Sequence, residues 1–154
     1  MRILVFSDTH GYVQNCTKVI ETIKSIDLVL HLGDTVRDAE DLHFVYPDIR
    51  FEYVAGNNDF SSLAPYEKLI YANNKKIFLT HGHTYGVKSS LTRLADKATD
   101  LHADIALFGH THVPLNSMTG NVCVLNPGAC GYISPTYGII EIENGIINSC
   151  ILTV

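Results

Sequence analysis

The chain lacks any apolar run near the ~20 residues that a membrane-spanning helix needs. Its opening stretch, Met1 to Phe6, is too short for a secretory leader and runs straight into a polar motif. Cysteine is sparse as well. Cys16, Cys123, Cys130 and Cys150 form no C-x-x-C pair and show no zinc-ribbon spacing. That excludes a disulfide scaffold and points to reduced, mostly buried thiols in a cytoplasmic protein. Basic residues are too few for a wide anion-binding groove: 11 Lys and Arg stand against 16 Asp and Glu, for a net charge of −5. Nucleic acid is therefore a disfavoured partner, and a membrane is not expected. No linker, low-complexity tract or repeat interrupts the chain, so residues 1–154 read as one domain. A chain of this length buries about two-thirds of its unfolded surface and needs no staple.

Patterning then supplies the elements. Ile3 to Phe6 is a continuous apolar run, as in a strand buried on both faces. Val13, Val19, Ile20, Ile23 and Ile26 recur at near-helical spacing, which predicts a helix over residues 12–25. Strands follow over 28–32 and 50–54, with a short helix over 37–46 between them, ended by Pro47. This alternation implies parallel pairing with right-handed crossovers. Strands are predicted over 67–71 and 76–80 with a turn over 72–75, then a helix over 88–101 that carries Lys88 and Arg93 as surface charges, then a strand over 105–108. Beyond Pro114 the pattern is all strand, over 115–118, 121–125, 137–142 and 146–153. Gly120-Asn121 and Asn144-Gly145 serve as hairpin turns there.

Five polar clusters punctuate this pattern, most of them just after an apolar run: Asp8-Thr9-His10, Gly33-Asp34, Gly56-Asn57-Asn58-Asp59, His81-Gly82-His83 and Gly109-His110-Thr111-His112. Taken singly, each has a plain explanation as a turn or a helix cap. Taken in order, at strand ends in one small domain, they assemble a metal site. Residues two apart on an extended turn can face one ion, which suits Asp8 with His10 and His110 with His112. A carboxylate such as Asp34 can bridge two cations, and the Asn57 amide oxygen is a neutral hard ligand. Mixed oxygen and imidazole donors favour manganese, iron, zinc, nickel or cobalt over calcium. The expected cofactor is two divalent ions, manganese foremost.

With these motifs the chain resembles the calcineurin-like metallophosphoesterase superfamily, and within it the small YfcE-like phosphodiesterases, from Met1 to the last strand. The resemblance implies a four-layer αββα sandwich with two mixed sheets and the dinuclear centre at the strand ends. Residue by residue it implies Asp8, His10, Asp34 and His112 on one ion, and Asp34, Asn57, His81 and His110 on the other. Asp34, Asn57 and His10 would serve catalysis around a metal-bridging hydroxide, with His83 and Asn58 in support. Asn126-Pro127-Gly128 resembles the loop whose backbone supports a ligand in this branch; the alternative is a plain turn. His31 is read as a core or sheet-edge residue, and His43 and His102 as solvent-facing.

The implied reaction is hydrolysis of a small phosphate ester. Asn58 stands where many larger relatives carry a histidine, and it cannot give up a proton near neutrality. Leaving groups of low pKa should therefore react best. Ala129 and Thr136 replace a serine and a basic residue common in the branch, which disfavours monoesters. The alternatives are a non-catalytic scaffold of the same fold, as in a retromer subunit, and a metal-dependent nuclease. Relatives also suggest a homodimer or homotetramer, for which Tyr132, Ile133 and Tyr137 would offer an apolar patch.

Overall fold

In the computed structural model, which describes residues 1–131 and 133–154, two five-stranded sheets face each other. The first has the order β10-β9-β1-β2-β3. Its strands are β1 (Arg2–Phe6), β2 (Leu28–His31), β3 (Arg50–Tyr53), β9 (Thr136–Glu143) and β10 (Ile146–Thr153). The second has the order β4-β5-β6-β8-β7, from β4 (Glu67–Ala72), β5 (Lys75–Thr80), β6 (Ile105–Leu107), β7 (Leu115–Thr119) and β8 (Val122–Asn126). Both sheets are mixed. β1, β2 and β3 run parallel while β9 joins β1 antiparallel; β5, β6 and β8 run parallel while β4 and β7 flank them antiparallel.

The alternation of side chains along a strand explains the layering. Ile3 and Val5 point between the sheets, where they meet Leu28, Leu30, Ile77, Leu79, Ile105, Leu107 and Leu125. Leu4 and Phe6 point the other way. They pack with Val29 and Phe51 against Cys16, Val19 and Ile20 of α1 (Val13–Thr22) and Leu42 of α2 (Val36–Val45). On the outer face of the second sheet, Phe78, Ala106 and Val124 pack on Leu94 and Ala98 of α3 (Thr92–Asp100). The result is the αββα sandwich that the resemblance implied.

Three boundaries differ from the sequence reading. α1 stops at Thr22, because Ile23 is extended and Ser25 is left-handed, which turns Ile23 and Ile26 back onto the helix-side core. α3 starts at Thr92. Lys88 therefore lies not on the helix but in the turn that follows a short 3₁₀ segment at His83–Tyr85. The β4–β5 connection is tighter than predicted, only Asn73 and Asn74, both left-handed as a type I′ hairpin requires. The proposed apolar patch also fails at one of its members. Tyr137 is only 6% exposed and its ring packs 6.3 Å from that of Phe6, while Ile133 is exposed and Tyr132 lies outside the described residues.

Parallel pairing brings the carboxyl ends of β1, β2 and β3 to one edge, and β5, β6 and β8 bring theirs to the facing sheet. That edge is where open α/β sheets place their sites. No helix among the described residues is long and apolar enough to cross a membrane.

Candidate metal centre and active site

Each of the five clusters sits in a loop that follows one of these strands, and backbone bonds lace the loops together. The Asp8 N–H donates to Gly33 O at 3.0 Å, the His10 N–H to Asp34 O at 3.3 Å, and the Gly109 N–H to His81 O at 3.0 Å. Two glycines are compulsory for this lacing. A Cβ on Gly56 would sit 2.1 Å from Asp34 Oδ1, and one on Gly109 would sit 2.0 Å from Ser7 Oγ. The ligand-type residues themselves bend sharply. Asp8, His10, Asp34, His110 and His112 all have φ between 48° and 67°. Each such residue costs about 1 kcal/mol against right-handed backbone, a cost Asp and His bear more readily than most.

The side chains converge in two groups. Asp8, His10 and His112 form one, and Asp34, His81 and His110 the other, with ligand atoms in each group within 4.8 Å of one another. In the first, His112 Nε2 lies 3.1 Å from Asp8 Oδ1 and 3.4 Å from His10 Nε2. In the second, His81 Nε2 lies 3.5 Å from Asp34 Oδ2. The groups adjoin, since His81 Nε2 is also 3.9 Å from Asp8 Oδ1. They differ in depth: Asp8, Asp34 and His81 are buried, His110 is half-buried, and His10 and His112 are exposed.

A resident metal fits this donor set on an observation independent of the motifs. Buried polar atoms normally find a hydrogen-bond partner. Asp8 Oδ1, Asn57 Oδ1 and His81 Nε2 are buried and find none. Their companion atoms are all engaged. Asp8 Oδ2 accepts from Ser7 Oγ at 2.6 Å and from the His110 N–H at 3.1 Å. His81 Nδ1 donates to Leu32 O at 2.7 Å, which turns the Nε2 lone pair into the site. The Asn57 amide nitrogen donates to Asn58 Oδ1 at 3.3 Å. Three buried atoms of cation-ligand type thus lack a hydrogen-bond partner, and two of them, Asp8 Oδ1 and His81 Nε2, lie 3.9 Å apart.

Electrostatics agree. Burial alone would raise the Asp34 carboxyl, but the His81 imidazole 3.5 Å away, the Asn58 N–H and the His10 imidazole hold it down at about 2. Burial, with the charge of His81, lowers the imidazoles of His83 and His110 and favours the neutral form that binds metal. His81 moves the other way. Burial would lower it, but Asp34 and Asp8 outweigh that and raise it.

Asn58 donates to Asp34 with both its backbone N–H, at 2.9 Å, and its side chain, at 2.8 Å. His83 stands beside the second group, its ring 5.4 Å from His81, and its Nδ1 is buried without a partner. Asn126 acts by holding the loop between the last two histidines, donating to Gly109 O and Thr111 Oγ1, both at 2.9 Å. His43 is exposed and stacks on Phe51, and His102 is exposed.

Two contributors escaped the sequence reading. Asp59, the last residue of its cluster, is a clamp: its carboxylate accepts the backbone N–H groups of Asp34 (3.0 Å), Gly56 (2.8 Å) and Val36 (2.8 Å). That ties the Asp34 loop to the start of α2. His31 is 1% exposed and joins a hydrogen-bonded set with Thr9 and Asp38 beneath the first group. Burial lowers the His31 imidazole to about 4 despite the pull of Asp38, so it stays neutral. The signal for Asp59 was its place three residues after Gly56. For His31 the signal was a polar residue inside an apolar strand.

A sequence model described as the calcineurin-like phosphoesterase superfamily domain matches residues 1–145. Phosphodiesterase MJ0936 of Methanocaldococcus jannaschii is 32% identical over 162 residues, covering 93% of this chain and 94% of that protein. A crystal structure of a conserved Streptococcus pneumoniae TIGR4 protein, described as a predicted phosphoesterase, superposes with a TM-score of 0.84 at 29% identity, covering 99% of this chain and 88% of that one. Wild-type Vps29 of Entamoeba histolytica, in complex with Zn²⁺, shares the fold at a TM-score of 0.78 and 23% identity, covering 99% of each chain.

Proposed function

Because this chain belongs to the calcineurin-like phosphoesterase superfamily, we propose that its metal-dependent phosphoesterase activity is that of a phosphodiesterase for small esters, served by two divalent ions. The observation that carries this reading is the set of bare, buried ligand atoms, Asp8 Oδ1, Asn57 Oδ1 and His81 Nε2, within two adjoining ligand groups. Asp8, His10 and His112 hold one ion, Asn57, His81 and His110 the other, and Asp34 serves both. Bound there, the ions supply Lewis-acid activation of water and neutralise charge on the phosphoryl oxygens. Manganese is the proposed resident ion, and the donor set also accepts nickel, cobalt, zinc or iron.

The chain's own groups set the rest. Asp34, held ionised by His81 and Asn58, keeps the two half-sites at fixed separation. The two aspartates leave the loaded site with net positive charge, which favours a phosphate ester over a neutral substrate. Asn57, through its amide group, and His83 face the space where the ester oxygens sit. Asn58 cannot give up a proton at neutral pH, and the Asp59 carboxylate is engaged by three backbone N–H groups. The leaving group departs unaided, so diesters with aryl leaving groups outpace alkyl ones. The Thr136 hydroxyl is spent on Pro127 O at 2.7 Å and Ala129 offers no hydroxyl, which removes two candidate contacts for the extra charge of a monoester. The working unit is the whole chain, 1–154, because β10 completes the first sheet beyond the family-matched residues.

Hydrolysis of a bis-aryl phosphodiester by chelator-stripped protein, with and without manganese, tests the reading. Turnover restored by manganese and abolished in D34N is expected. Two bound ions without turnover under any divalent metal would instead favour the scaffold role.

A further inference from the structure

Behind the exposed half-site lies a closed hydrogen-bond relay that the reaction does not use. Thr9 is 0% exposed and sits between two ligand residues, Asp8 and His10, both in left-handed backbone. Its Oγ1 donates to Asp38 Oδ2 at 2.5 Å. A hydroxyl has one proton, so toward His31 Nε2, 3.1 Å away, the same oxygen accepts, and Nε2 carries the hydrogen. His31 Nδ1 is then an acceptor and receives the Gly33 N–H at 3.2 Å. Asp38 Oδ2 also accepts the Gly11 N–H at 2.8 Å. Every donor in the chain therefore meets an acceptor, with His31 neutral.

The relay joins three elements: the turn from Asp8 to Gly11, the start of α2 at Asp38, and the Gly33 step into the Asp34 loop. The Asp34 loop has separate anchors in Asp59 and Asn58. Among the described residues, the turn that carries His10 reaches that loop through the backbone bonds Asp8 N–H to Gly33 O at 3.0 Å and His10 N–H to Asp34 O at 3.3 Å, and the Asp8 carboxylate is held by Ser7 Oγ and the His110 N–H, so beneath His10 the relay is the main side-chain support. Cutting the relay should therefore loosen one half-site and spare the other.

We propose that Thr9, through Asp38 and His31, is the positioning residue for the Asp8, His10 and His112 half-site, and so sets the affinity of one ion of the pair. This rests on the two-ion reading above. Manganese(II) chloride titrated into chelator-stripped protein by calorimetry, alongside equilibrium dialysis for stoichiometry, tests it with wild type, T9V and T9S. Wild type and T9S are expected to bind two ions. T9V is expected to keep one at wild-type affinity and to bind the other 10–100-fold more weakly, the usual range for groups that orient ligands. If T9V does not fold, D38N reads the same selective weakening. Two ions bound by the relay variant within threefold of wild type, or both weakened alike, would overturn the positioning role alone. Fewer than two ions bound by wild type would overturn the two-ion reading and the role together.

Discussion

The two ligand groups share a carboxylate edge and little else. The Asp34, His81 and His110 group is built into the interior: His81 is 0% exposed, its ring is pinned to Leu32 O, and Asp34 is held by Asn58 and Asp59 of the neighbouring loop. The Asp8, His10 and His112 group has one buried member and two exposed histidines, and its precision comes from the turn beneath rather than from packing around it. On the two-ion reading, the site has a structural half and an open half. The first is bound up with the stability of the fold, and the second with exchange of ions and access of substrate.

The strongest challenge to that contrast is D34N, which weakens the carboxylate proposed to serve both ions. Manganese-dependent turnover should fall on the order of 10³-fold or more, and dialysis should show both ions weakened together. Next is the pair H81A and H112A. Both should lose turnover, but only H81A should lose fold stability, by roughly 2–4 kcal/mol in urea titrations, since it empties a buried position and strands Leu32 O. H112A should stay within about 0.5 kcal/mol of wild type. Equal losses of stability would erase the distinction between deep and open halves. G56A, whose new Cβ would meet Asp34 Oδ1 at 2.1 Å, should push that carboxylate off position and cost about 10² in turnover even where the fold survives.

The last comparison is a pH dependence. His31 has a folded-state pKa of about 4 against 6.5 unperturbed, so between those values the unfolded chain binds the proton and the folded chain does not. Its contribution is complete above pH 6.5 and is lost as pH falls toward 4, by roughly 3 kcal/mol in total. Asp34, depressed from 3.8 to about 2, adds its own loss only below pH 4. Urea midpoints measured across pH 4–7 should therefore slope in wild type and slope less steeply in H31Q.

Much of this molecule was legible in the chain. The order of strands followed from apolar runs and turn dipeptides because burial on both faces and type I′ hairpins leave local marks. The convergence of Asp8, Asp34, His81 and His110 followed from one habit of α/β folds, loops at strand ends. What stayed hidden depends on partners far apart in sequence. Thr9 meets Asp38 across 29 residues and His31 across 22. Nothing in a Thr between two ligands or a His in a strand announces such a meeting. Asp59 was visible as a turn residue, but two of its three backbone partners, Asp34 and Val36, lie more than 20 residues away. Tyr137 was read with Ile133 as part of an exposed apolar patch, yet its place in β9 turns it onto Phe6.

The pairing of β1 with both β2 and β9 also has a consequence for synthesis. The second sheet is contiguous in the chain, from Glu67 to Asn126, whereas the first draws its strands from both sides of that segment. On a ribosome, β1, β2 and β3 emerge early, with the β1 edge bare until Thr136–Glu143 has been made. At roughly 5–20 residues per second, that edge waits several seconds for its partner. Over that interval the nascent chain carries an unpaired strand bearing Ile3, Leu4, Val5 and Phe6, the kind of edge on which chains stick to one another.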